Sequence, residues 1–190
     1  SQVADISRFA PSLVPLDLAL DLDNNRIFLG VRAAATDGSS TVGVWAYDTQ
    51  QRTWSAFSDA THPASNGGPA LTNPTDLVLD SARQKLYVVD WSAGVTSVSL
   101  ATGARTVLSS NTVPNTANAL FTEPMDAALD STAGKLYVVD RGSDSVFTVD
   151  VTTGARTLVS RSNFQSGPNF VQALSMVRRA SDGQLFVFDA

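Results

Sequence analysis

Apolar residues in this chain come in short runs separated by turn residues, with no long stripes. At 76–80 the sequence DLVLD sets three apolar residues between two acids, just after Pro74. A turn over 81–84 leads into 85–90, KLYVVD, rich in β-branched and aromatic residues. A second turn at 91–94 precedes 95–100, where Val95, Ser97 and Ser99 alternate with Thr96, Val98 and Leu100. Thr102-Gly103 then turns the chain into 104–109. Strand-length runs broken at these points predict a four-stranded β-meander. No segment carries an i, i+3, i+4 stripe long enough for a helix.

The meander returns. Residues 124–160, PMDAALDSTAGKLYVVDRGSDSVFTVDVTTGARTLVS, repeat 74–109, bringing Pro74 onto Pro124, Asp76 onto Asp126, Asp90 onto Asp140 and Arg105 onto Arg156. Upstream, 15–31 match the first two strands with Arg26 at the place of Lys85, and 41–48 and 52–57 supply the other two. Downstream, 174–179 and 184–189 match the first two strands of one more copy. A meander recurring about every 50 residues is the unit of a β-propeller blade. A β-sandwich has strands of similar length but no reason to repeat whole meanders. The expected fold is all-β, a propeller of four-stranded antiparallel blades with about three and a half present. One region spans 1–190, with blades near 15–57, 74–109 and 124–160 and a half-blade at 174–189. Such an arc is an incomplete ring. Residues 4–10 could pair with the half-blade, a second chain could join its half-blade to this one, or further blades could lie in sequence beyond residue 190, the preferred reading.

Composition narrows the function classes. Hydrophobic residues make up 43% and charged residues 16%, which suits a folded, strand-rich chain. A net charge of −5 lacks the basic stripe that nucleic acid or an anionic membrane surface requires. No apolar run approaches the ~18 residues of a membrane-spanning helix. With no cysteine there is no disulfide framework, thiolate metal site or Cys nucleophile. His62 is the single histidine, so any His-based catalytic triad would need it, no two histidines can share a zinc ion, and no G-x-S-x-G elbow occurs.

The string P-x-D-(apolar)3-D, followed by a turn and KLYVVD, resembles the NHL-type six- or seven-bladed propellers. It is also similar to the superfamily of gluconolactonase and senescence-marker lactonases. The endings LATGARTVLSS and VTTGARTLVSR look like the last strands of such blades in secreted bacterial proteins. The resemblance covers nearly all of 15–189 and implies an exported protein, extracellular or periplasmic. Those lactonases hold a divalent metal in the central channel, one ligand directly following the Pro of an innermost strand. Here Leu16, Thr75 and Met125 stand there, and none suits a hard cation. The departure weighs against an enzyme.

Several residues nevertheless suggest chemistry. Asp17, Asp76 and Asp126 recur two residues after each Pro. They form either a ring of carboxylates for a cation or polyhydroxylated ligand, or turn caps accepting backbone N–H groups, the favoured reading. Asp90, Asp140 and Asp189 end the second strands, where a carboxylate closes the following hairpin. Asp21, Asp23 and Asn25 have the opening spacing of a calcium loop, but Arg26 and Arg32 replace the Gly and Glu that complete one. Calcium is the one cofactor suggested, and weakly. His62, alone in its loop, reads as solvated, and Arg178-Arg179 as ion-paired. Among aromatics, Trp45, Tyr47 and Trp54 cluster in the first blade, and Tyr87 and Tyr137 read as core. Trp91 stands in a loop where the next copy has Arg141, so it is a candidate to stack on a sugar or contact a partner.

The expected function is a non-catalytic binding or scaffold module that takes a protein or carbohydrate ligand through its blade loops. The alternatives are a metal-dependent hydrolase of the calcium-propeller type, with ligands among Asp17, Asp76 and Asp126, and a structural repeat of a surface assembly.

Overall fold

The computed structural model describes residues 13–34, 40–62, 67–114, 120–163 and 169–190. The first sheet comprises β1 (Leu13–Asp21), β2 (Arg26–Ala34), β3 (Ser40–Asp48) and β4 (Thr53–Ser58). The second comprises β5 (Pro74–Asp80), β6 (Lys85–Asp90), β7 (Gly94–Ser99) and β8 (Arg105–Ser109). The third comprises β9 (Pro124–Asp130), β10 (Lys135–Asp140), β11 (Ser145–Asp150) and β12 (Arg156–Arg161). The last is a pair, β13 (Ala173–Arg178) and β14 (Leu185–Asp189). Every sheet is an antiparallel meander in chain order. The first strands β1, β5, β9 and β13 pack side by side in turn, so the sheets fan out from a shared inner edge as propeller blades.

Blade-on-blade packing explains the unbroken apolar run of KLYVVD. A strand buried on both faces has no polar side to alternate with. Leu86 and Val88 enter a core shared with Ala19, Phe28, Val44 and Ala46 of the first blade. Tyr87 and Val89 point the other way, into a core with Leu136, Val138, Phe147 and Val149 of the third. Tyr137 likewise packs against the core between the third blade and the half-blade, around Val139, Val146, Ala173 and Met176.

The first hairpins differ in detail from plain turns. Residues Leu22–Asn24 and Ser81–Arg83 each form one turn of 3-10 helix, closed by Asn25 and Gln84 at φ 53. At the matching place the third blade has Gly134, also at positive φ. Glycine adopts that conformation without steric cost; Gln84 holds it while its amide donates to Ser81 O at 2.7 Å.

The two outer faces of the arc are apolar. On the first blade Leu18 and Leu20 are half exposed, and on the half-blade Val177, Phe186 and Phe188 are exposed, Phe188 by 63%. Residues 4–10, considered for closing the ring, lie outside the described residues.

Candidate functional site

The two ends of the blades carry different connections. At one end the turns are short: 22–25, 81–84 and 131–134, then 49–52, 100–104 and 151–155. At the other end run the interblade connections 59–73, 110–123 and 162–172. Long connections on a rigid scaffold are where binding residues concentrate.

The Pro-x-Asp segments lie at that same end. Register slips between Pro15 and Asp17, between Pro74 and Asp76, and opposite Asp140 in the third blade. A bulge of this kind re-aims the side chain that follows it. Asp17 Oδ2 accepts the Leu77 N–H at 2.8 Å, Asp76 Oδ2 the Ala127 N–H at 2.8 Å, and Asp126 Oδ2 the Met176 N–H at 2.6 Å. Asp76 and Asp126 also accept their own following amides at 2.8 Å. These carboxylates do accept backbone N–H groups, but across the blade boundary as well as locally. They form a column in which each acid latches the next blade.

Burial, the charge of Asp126, and the hydrogen bond and charge of Asp17 push the Asp76 carboxyl up to about 9. Asp76 therefore carries a proton at pH 7 and spares the column one negative charge. At the bulge itself the Thr75 hydroxyl lies 3.2 Å from Pro124 O, and Met125 packs on the third core.

A second set of acids ties the loops down. Fully buried Asp90 accepts from Thr72 N, Thr72 Oγ1 and Asn73 N at 2.7–2.9 Å, and from Ser92 N and Ala93 N at 3.1 Å. One carboxylate thus fixes both the chain entering β5 and the turn leaving β6. Asp140 repeats this with Thr122, Glu123 and Ser143, and Asp189 with Val171 and Gln172.

Arginines that the repeat aligned without a role prove to be clamps on the fourth strands. Arg105 donates to Ser58 Oγ and Asp59 O at 2.8 Å and to Pro69 O at 2.6 Å, reaching back over the first blade. Arg156 donates to Ser109 Oγ at 2.8 Å and Ser110 O at 2.6 Å, with its guanidinium 4.4 Å from the Phe121 ring centroid.

Between the second and third blades, at the long-connection end, opens a pocket of about 690 Å3. Trp91, 40% exposed, lines it with Asn73, Ser92, Thr112, Phe121 and Thr122. Its floor passes Gly94 at φ 90, where a Cβ would lie 2.3 Å from Ser109 O. Arg141 stacks on the indole at 5.2 Å and is held by Glu123 through a 2.8 Å ion pair. The structure thus brings Trp91 and Arg141, equivalent positions of consecutive repeats, into direct contact. The pocket residues around them were not singled out by the sequence. The available signal is that 110–122 contain no charged residue.

The other candidates lie apart from this pocket. Asp21 is buried and turned toward Arg26 and Asn24 at 2.7–3.1 Å, in a turn where Asn25 is the left-handed residue. Among the described residues, no group of three or more His, Cys, Asp or Glu side chains converges as metal ligands would. His62 is exposed but not alone: its Nδ1 lies 3.0 Å from Asp59 Oδ1 and 2.9 Å from Thr61 Oγ1. Both contacts use one ring nitrogen, so the group cannot relay a proton from Thr61 to Asp59 as a catalytic triad does. Despite burial, hydrogen bonds from Thr61 and His62 hold the Asp59 carboxyl below its usual range. Arg178 pairs with Asp130 and Arg179 with Asp182. Tyr47 and Trp54 stack with centroids 5.0 Å apart.

No family model matches the chain, and no curated protein matches it. Solved structures do. In the structure of a nidogen/laminin complex, a chain superposes with a TM-score of 0.71 at 16% identity, over 95% of this chain and 58% of that one. A luciferin-regenerating enzyme matches at TM-score 0.64 and 14% identity, over 97% and 56%. The extracellular domain of a one component system from B. thetaiotaomicron matches at 0.56 and 16%, over 90% and 19%. This chain spans little more than half the length of the first two and about a fifth of the third. At these identities the likeness is one of architecture: the chain has the β-propeller fold.

Proposed function

We propose that this chain is part of a non-catalytic β-propeller that binds a protein or carbohydrate through the face carrying its long connections. One observation carries the reading. The column acids Asp17, Asp76 and Asp126 accept backbone N–H groups from the next blade, while the Trp91 pocket opens among the long connections. The blade motifs support a place among NHL-type and gluconolactonase-like propellers, and Leu16, Thr75 and Met125 at the metal-ligand position weigh against lactonase chemistry. The fold is used by a protein in a nidogen/laminin complex and by an extracellular domain, which supports a binding role outside the cytoplasm. Further blades, from another chain or from sequence beyond these residues, would cover the two apolar outer faces.

The competing reading is a metal-dependent hydrolase using the column acids. Calorimetric titration with calcium to about 10 mM, where even a weak millimolar site fills, is expected to give no saturable heat. A panel of lactones with calcium, manganese or zinc is expected to give no turnover. Metal-dependent turnover abolished by Asp126→Asn would overturn the proposal.

A further inference from the structure

Blade boundaries in this fold repeat, so a groove between blades at this face is in itself architectural. The groove between the first and second blades is lined by Val42, Ala60, Ala70, Leu71 and Thr72 and encloses about 290 Å3. The groove between the second and third is more than twice as large and has an exposed indole on its wall. At the place of Trp91 the first blade has Arg32 and the third Arg141. The enlarged pocket is therefore a local departure from the repeat, within the ~300–1,000 Å3 of small-molecule sites.

Its chemistry is uncharged. Among the described residues lining it, none is acidic or basic, in a chain of net charge −5. Around it, Glu123 holds Arg141 at 2.8 Å and that guanidinium rests on the indole, while Arg32 reaches the lining residue Asn73, its Nη1 3.5 Å from Asn73 Oδ1. Hydroxyl and amide side chains from Asn73, Ser92, Thr112 and Thr122 line the pocket. The Thr122 hydroxyl and the Trp91 indole N–H have no hydrogen-bond partner among the described residues. Trp91 is also fixed in place. Its backbone N–H donates to Asn73 O at 2.9 Å, Asp90 holds the turn that follows it, and Arg141 braces its ring. A rigid aromatic wall facing uncharged hydroxyls and amides suits a ligand with one apolar C–H face and a periphery of hydroxyl groups.

We infer that the pocket between the second and third blades is a binding site for a neutral carbohydrate, with a pyranose ring stacked on Trp91 and its hydroxyls met by the Thr122 side. The inference rests on the binding-module reading and names its ligand class. Neither an anionic sugar nor a cationic ligand would find a group of opposite charge among the described residues that line the pocket.

The test is a proton–nitrogen NMR titration that follows the three tryptophan indole signals, the Trp91 signal being the one lost in Trp91→Phe. The probes are maltotriose, cellotriose, xylotriose and chitotriose, each to about 10 mM. At least one is expected to shift the Trp91 signal saturably while those of Trp45 and Trp54 stay in place. Trp91→Ala should weaken that binding by about tenfold or more, the loss expected for removing a central aromatic anchor. Should Trp91→Ala fail to fold, Thr122→Trp, which fills the pocket from its opposite wall, is expected to abolish the response. Three outcomes would overturn the inference: no response of Trp91 to any neutral trisaccharide, a response only to trigalacturonate or to an uncharged Gly-Ser peptide, or sugar affinity unchanged in both variants. Any of these, without metal-dependent lactone turnover, would remove the carbohydrate and leave the binding module standing. Turnover would remove the module itself.

Discussion

The carboxyl group of Asp76 accepts the backbone N–H of Ala127, 51 positions along the chain, at 2.8 Å. Asp17 and Asp126 make the same bond to Leu77 and Met176, so three blade boundaries are joined near the inner edge by one device. In the half-blade the position equivalent to Asp126 is Ser175, whose shorter side chain cannot continue the column in the same way.

The middle acid makes stability depend on pH. Folding raises the Asp76 carboxyl from 3.8 to about 9, so the folded chain holds a proton that the unfolded chain releases. Its contribution is complete below about pH 4 and is lost as pH rises toward 9. Thermal melting between pH 5 and 9 should show the wild type losing stability progressively. Asp76→Asn removes the titrating group: its oxygen can accept from Ala127 and its amide donate to Asp17, while the Leu77 N–H, which donates to both Asp76 and Asp17 in the wild type, is left to Asp17 alone. The variant is expected to show a flatter pH profile, its stability relative to the wild type rising steadily from pH 5 to pH 9. Parallel curves for the two proteins would remove this role for Asp76.

Arg105 ties the outer part of the same architecture. Its guanidinium serves a hydroxyl and three carbonyls of the preceding blade and its exit loop, with only 7% of the residue exposed. Arg105→Ala strands those acceptors, and hydrogen bonds to a charged group are worth about 1.5–3 kcal/mol. A lower urea midpoint, equivalent to about 2–3 kcal/mol, is the expected result. An unchanged midpoint would mean that water replaces the clamp without cost.

The apolar outer faces predict self-association. Phe186 and Phe188 on the half-blade, and Leu18 and Leu20 on the first blade, occupy the sheet faces that elsewhere meet a neighbouring blade. Light scattering on the 190-residue chain should report a mass above the monomer, reduced by Phe186→Ser with Phe188→Ser. A wild-type monomer with one sharp melting transition would contradict the idea that these faces need a further blade.

Much of the fold is legible from the chain because blade-making is local. Strand runs, turn residues and a recurring Pro-x-Asp lie within single meanders, and the repeat multiplies each signal. The unbroken apolar run of KLYVVD already implies burial on both faces. Even the grouping of Trp45, Tyr47 and Trp54 follows from their places on two adjacent strands, where Tyr47 pairs directly with Trp54.

The candidate site is less legible because it lies between repeats. Trp91 and Arg141 stood out as unequal residues at equivalent positions, but nothing in their order says that one stacks on the other. That contact requires the third blade to be set beside the second so that their loops overlap. His62 looked alone because Asp59 and Thr61 are ordinary loop residues in sequence, yet the turn gathers them on its Nδ1.

By itself the sequence determined the meander, its repetition and an uncharged segment at 110–122, since these depend on periodicity and composition within a few residues. The tertiary structure decided which blade each Asp column member serves, how Arg105 and Arg156 reach backward, and that an indole borders a pocket rather than a core. Those outcomes depend on how adjacent blades are set against each other and on where each bulge aims its side chain. They are relations across about 50 residues, which no local pattern encodes.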